Sequence, residues 1–177
     1  MDATTAVTVA LQAISLTAVG LTLRQVRLAR HANHLPVVLE AFQHTRSAAW
    51  LDAQEYILTK LAEEHAADGG YRGLPLAART HANTIGLFYD DLGKLVAHGM
   101  VDQTLVIGAY GTPIVLLWDA LAPYVYAERQ AHRMSFWVYF EDLAARTAET
   151  PPTQVYAKLG LRQRPPRLGS DAAEGAT

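Results

Sequence analysis

Residues 3–23, ATTAVTVALQAISLTAVGLTL, carry no charge, and Arg24, Arg27 and Arg30 follow within the next seven positions. At about 1.5 Å of rise per residue, a helix over this stretch is roughly 31 Å long, close to the hydrocarbon thickness of a bilayer. A removable signal would open on positive charge and end at a small-residue cleavage site. Asp2 is the sole early charge, and no such site precedes the arginines. The spacing predicts a retained transmembrane helix. Its basic flank would keep the bulk of the chain cytoplasmic, in a single-pass topology at the inner membrane. The competing reading is a soluble helix packed on the body. Against it, apolar residues occupy nearly every face, leaving no charged side to wet.

The polar residues of this segment are ordered. Thr5, Thr8, Gln12, Ser15, Val19 and Thr22 alternate spacings of three and four, a heptad seam along one face. In lipid, small and hydroxylated residues allow close approach and hydrogen bonding between helices. The seam therefore predicts a homo-oligomer or a pairing with a partner membrane protein, with Gln12 as its key member. Alternatively, the hydroxyls bond back to their own helix and only Gln12 needs a partner.

A net charge of −2 supplies no basic field, so no nucleic-acid partner is expected. With no cysteine, disulfides and thiolate chemistry are excluded.

Beyond the arginines the pattern is helical throughout. A domain organisation follows: 1–34 as membrane helix and juxtamembrane extension, 35–162 as a helical bundle, and 163–177 as a disordered tail rich in Pro, Arg, Gly and Ala. Within the body, 36–66 reads as one amphipathic helix carrying Leu39, Phe42, Ala49, Ala53, Ile57 and Leu61 at helical spacing. Residues 67–75, ADGGYRGLP, read as a loop. A helix over 76–98 buries Ile85, Phe88, Leu92 and Leu95, turns Asp90, Asp91 and Lys94 outward, and stops at His98-Gly99. Asp102 caps the next helix. Its uncharged run, 104–118, is too short for a span and reads as core, with a kink or restart expected at Pro113. A helix over 134–149 and a short one over 153–160 complete the body. The fold class is all-α: a single N-terminal transmembrane helix followed by a bundle of about four helices.

The seven histidines form no Glu-x-x-His or His-Glu-x-x-His. The pairs His31/His34, Glu40/His44 and Glu128/His132 read as solvated faces and helix-surface pairs. No Walker A loop, Gly-x-Gly-x-x-Gly or Gly-x-Ser-x-Gly occurs. No cofactor, metal or catalytic residues are assigned. One cluster stands out: Trp118, Asp119, Tyr124 and Arg129, followed by Trp137 and Glu141, with Tyr126, Glu128 and Phe140 among them. Glu141 lies four after Trp137 on one face, and an acid among aromatics needs a cation such as Arg129 or Arg133. The cluster is either an ion pair locking two helices or a ligand groove with aromatic walls. The basic stretch Lys158–Arg167 is either an ordinary tail or a contact for anionic lipid.

The order of features resembles the DUF4760 family of small, mostly helical, often membrane-anchored bacterial proteins. The resemblance rests on the leading apolar segment, LFYDDLGKLVAHGMVD, YGTPIVLLWDALAPYVYAER and WVYFEDLA, and covers about residues 4–146. It implies an architecture and no catalytic residues. The expectation is a membrane-anchored interaction or scaffold protein in contact with the lipid bilayer. The alternative is a small-ligand binder or enzyme using the groove between the last two long helices.

Overall fold

A computed structural model describes residues 40–41 and 43–162. The predicted membrane helix, its seam and the predicted tail lie outside the described residues.

Residues 40–41 and 43–44 are helical, and the chain then turns over 45–47. Ser47 starts α1 (Ala48–Thr59), its hydroxyl accepting the Trp50 N–H at 3.2 Å. The single turn α2 (Leu61–Glu64) follows. A 3₁₀ turn (Ala67–Gly69) leads into the short α3 (Gly70–Gly73). Pro75 precedes α4 (Leu76–Ala97). That helix ends as its pattern predicts: Gly99 takes φ 66° and the Met100 N–H returns to the Leu95 carbonyl at 2.8 Å. The Asp102 carboxylate accepts the Leu105 N–H at 3.1 Å and opens α5 (Gln103–His132). Next come α6 (Val138–Glu149) and α7 (Pro152–Lys158).

No strand occurs among the described residues, and the body is an all-α bundle. The helices α1 and α6 each pack on both long helices, α4 and α5, which touch each other less. α3 and α7 cover parts of α5. The core between them holds Trp50, Ile85, Tyr89, Ile114, Leu121, Phe140 and Leu143, all buried. Trp50 lies edge-on to Phe88 and Tyr89, with ring centroids 4.7 and 5.7 Å away.

Four expectations are corrected. The helix expected over 36–66 is broken at 45–47, because Ser47 caps a new start. The expected loop over 67–75 is mostly helical turns. The helix expected from 134 begins at Val138, because Arg133 and Trp137 adopt positive φ of 49° and 50°. Pro113 does not restart α5, which runs unbroken through Pro113 and Pro123. Each proline deprives the carbonyl four residues earlier of its donor. Those residues, Ala109 and Asp119, are exposed, so water can supply the missing bond. α5 is long and apolar enough to cross a membrane by length and composition, and 44% of its apolar 18-residue window is buried within the fold.

Asp90 also departs from expectation. It is buried, not outward-facing. Its Oδ1 accepts the N–H groups of Tyr139 and Phe140 at 3.0 and 3.2 Å, and its Oδ2 meets Lys94 Nζ at 3.0 Å. The first turn of α6 is thus capped from α4, since Trp137 at its own cap position supplies no side-chain bond. Asp90→Ala is expected to cost roughly 1–2 kcal/mol, as for loss of a capping acceptor. Asp90→Asn, which keeps an acceptor oxygen, should cost less. Urea denaturation compares them, and equal midpoints for the wild type and Asp90→Ala would remove the cap from the account.

Candidate functional site

The predicted aromatic and acidic cluster divides in space. Trp118, Arg129 and Glu141 come together with Tyr126 across the α5–α6 hairpin. Arg129 Nη1 contacts Glu141 Oε2 at 2.5 Å, and the Tyr126 hydroxyl donates to Glu141 Oε1 at 2.7 Å. Arg129 Nε and Nη2 both donate to the Phe136 carbonyl, at 2.9 and 2.7 Å. The guanidinium lies 6.0 Å from the Trp118 ring and 5.6 Å from that of Tyr126. Both carboxylate oxygens and three guanidinium nitrogens are therefore engaged within the cluster. The Phe136 bonds tie down a hairpin containing two residues, Arg133 and Trp137, in a conformation that side chains disfavour.

Trp137 is buried on the other side of this hairpin. Its indole fills the space over Gly86 and stacks on Phe136, centroids 4.4 Å apart, while its Nε1 finds no partner among the described residues. Asp119 is exposed and apart from the cluster. Tyr124 is buried elsewhere, donating to the carbonyls of Leu61 and His65 at 3.2 and 2.6 Å.

Burial alone would raise the Glu141 pKa. Hydrogen bonds from Arg129 and Tyr126, with the Arg129 charge, outweigh it and hold the carboxyl below its ordinary 4.5. A depressed carboxyl pKa stabilises the fold above the unfolded value, and that stabilisation is lost as pH falls through the folded value. The stability gap between wild type and Glu141→Gln is expected to be constant above pH 4.5 and to close on further acidification. Thermal melts from neutral to acidic pH measure it; a gap that persists at the acid end would disprove the coupling.

Two further polar sets escaped the sequence. Glu128 is buried, its Oε2 accepting the Arg72 N–H at 2.9 Å. Its Oε1 is 3.1 Å from Arg72 Nε and 3.5 Å from His132 Nε2. The Arg72 contact is an ion pair rather than a hydrogen bond, because Oε1 has no aligned donor. Gly70, at φ 64°, passes so close that a Cβ would lie 3.0 Å from the Glu128 nitrogen. At the far end of α1, the Tyr56 hydroxyl donates to Glu64 at 2.9 Å and lies 3.0 Å from His65 Nε2. Burial and the adjacent Glu64 carboxylate push the Tyr56 pKa up to about 12. The i,i+4 spacing of Glu128 and His132 marks their pair, but the expectation of a solvated face is corrected, because Glu128 is buried. The contacts to Arg72 and those of Tyr56 join residues from separate elements and have no spacing signature. Among the described residues, no group of three or more His, Asp or Glu could hold a metal.

An open cavity lies elsewhere. A groove of about 730 Å³ runs along α4 beside Glu40, Ala41 and His44. Leu87, Phe88, Leu92 and Leu95 form its apolar wall, and Thr80, Asn83, Thr84, Asp91, Glu40 and His44 supply polar atoms. His44 stacks on Phe88 at 5.6 Å. No sequence motif marks it, because its two walls are distant in the chain.

Fold and site define a small helical bundle with cross-helix carboxylate contacts. The chain matches the model of DUF4760, a domain of unknown function, over residues 3–147, and it belongs to that family. No curated protein and no solved structure matches it.

Proposed function

We propose that this chain is a membrane-anchored interaction or scaffold protein, with the helical bundle as its cytoplasmic body. The observation that carries the reading is the uncharged stretch 3–23 ending at Arg24, Arg27 and Arg30. A helix over that stretch would be about 31 Å long, and with positive charge on one flank it would match a single span whose basic side stays in the cytoplasm. The closed Arg129–Glu141–Tyr126 set supports a locking role for the cluster over a ligand-binding one, since its charged atoms already serve one another. The test is alkaline carbonate washing of membranes bearing the full chain. The intact chain should pellet. Ile14→Arg, which puts a charge at the centre of the span at a cost of about 2.5–3.5 kcal/mol, should shift it towards the supernatant. An intact chain that washes free would overturn the anchor.

A second reading is favoured by the groove on α4. Its volume falls within the range of small-molecule sites, roughly 300–1,000 Å³, and it mixes apolar walls with a few hydrogen-bonding groups. The ligand would be a mostly apolar molecule with one or two polar atoms meeting Asn83 and Thr84. Leu87→Trp should fill the groove and abolish uptake of an apolar fluorescent probe; equal uptake by both proteins would exclude the site.

A further inference from the structure

The outward face of α5 is nearly devoid of charge. Between Leu105 and Tyr126 its exposed positions are Leu105, Ala109, Thr112, Leu116, Asp119, Pro123 and Tyr126, with Asp119 the single ionised group. Leu105, Leu116 and Tyr126 are 47%, 50% and 48% exposed. The half-buried flanks Gly108, Pro113, Val115 and Ala120 are uncharged too. Spacings alternate four and three over three heptads, the minimum for a sustained helix–helix seam.

The stripe is also self-complementary when reversed. A two-fold axis through Leu116 sets that side chain against its mate. The same axis brings Ala109 opposite Pro123 and, within one residue's rise of about 1.5 Å, Leu105 opposite Tyr126 and Thr112 opposite Asp119. Each pair matches in kind: large apolar on aromatic, small on small, and a hydroxyl donor on a carboxylate. The lone charge therefore meets a hydrogen-bond donor rather than another carboxylate or bare hydrocarbon, which an interface requires of any carboxylate it covers. A face that matches itself in antiparallel register is what a two-fold dimer needs.

We propose that the exposed stripe of α5 is a dimer interface, its occupant α5 of a second copy in antiparallel register about Leu116. This deepens the interaction-protein reading, on which it rests, by naming one partner. A two-fold axis along the membrane normal puts both N-terminal segments on the same side, so a single bilayer can receive both.

The chain has no cysteine, so one introduced thiol reports on one site. Full-length Leu116→Cys, purified in mild detergent and gently oxidised, should convert to a covalent dimer. Leu51→Cys, equally exposed on α1 at 55%, should not. In a separate arm, Leu116→Asp places two carboxylates on the axis and should weaken the dimer by about a hundredfold in dissociation constant, read by analytical ultracentrifugation. Leu116 is half exposed, so this change leaves the monomer folded, as its circular dichroism should show. Crosslinking that is equal at both thiols, or a wild type that sediments as a monomer, overturns the proposal. So does a nitroxide at 116 that is quenched by lipid-dissolved oxygen in vesicles, which would assign the face to the bilayer. Carbonate washing of the same variants separates the two readings: a monomer that still pellets sinks the dimer alone, and a dimer that washes free sinks the anchor alone.

Discussion

Phe140→Ala is expected to lower the stability of the bundle by about 3–5 kcal/mol, the usual range for emptying a buried aromatic site. The ring has no exposure. It stacks on Tyr89 with centroids 5.0 Å apart and meets Trp118 edge-on at 5.2 Å, so it joins α6 to both long helices at once. Neither neighbour is placed to collapse into the hole. Tyr89 is held between Trp50 and Phe140, and Trp118 is pinned beside Arg129. Phe140→Leu keeps most of the volume and should cost under about 1.5 kcal/mol. Urea titrations followed by circular dichroism measure both. A Phe140→Ala cost below that of Phe140→Leu would show that the centre of the bundle lies elsewhere.

Gly93→Ala should also be strongly destabilising, by roughly 3 kcal/mol, and there the sign is as informative as the size. In an open helix this change would stabilise by about 0.5–1 kcal/mol, because alanine is the better helix former. At Gly93 a Cβ would lie 2.2 Å from the Tyr139 carbonyl oxygen and 2.7 Å from its carbon. Those are backbone atoms of α6, held in place by the Asp90 bonds, so the helices would have to separate. At Gly73 in α3 nothing lies within 4 Å, and Gly73→Ala should be near neutral. Thermal melts of the two variants side by side decide the matter. A stabilising Gly93→Ala would mean that α4 and α6 are not in this contact.

The long elements of the body were legible because their signals are local. Pro75 and Gly99 bracket α4, and Asp102 marks the start of α5, each through backbone chemistry confined to a few residues. Breaks that depend on one hydroxyl, as at Ser47, do not stand out from the surrounding helical pattern. Asp90 and Asp91 illustrate the limit best. Periodicity assigns both to the wet face, yet one turns under α6 while the other stays exposed. A clue was present: Gly86 and Gly93, seven apart on one face, mark where another helix comes close, and Asp90 lies between them. The predicted cluster mixed residues that share aromatic or acidic character with residues that share a place. Arg129 and Glu141 meet because the hairpin is short. Tyr124, on a different face of α5, is directed to the Leu61 and His65 carbonyls at the two ends of α2. The α4 groove had no trace in the sequence, since a cavity is a property of two surfaces and not of a pattern in one.

The cross-helix bonds of Asp90 bear on how the domain comes apart. The amides of Tyr139 and Phe140 can exchange with solvent only when α4 releases them, so the start of α6 and the middle of α4 form one cooperative unfolding unit. That unit pairs segments almost fifty residues apart. In a nascent chain leaving the ribosome, Asp90 keeps water and Lys94 as partners until α6 has emerged, so the contact between α4 and α6 closes late.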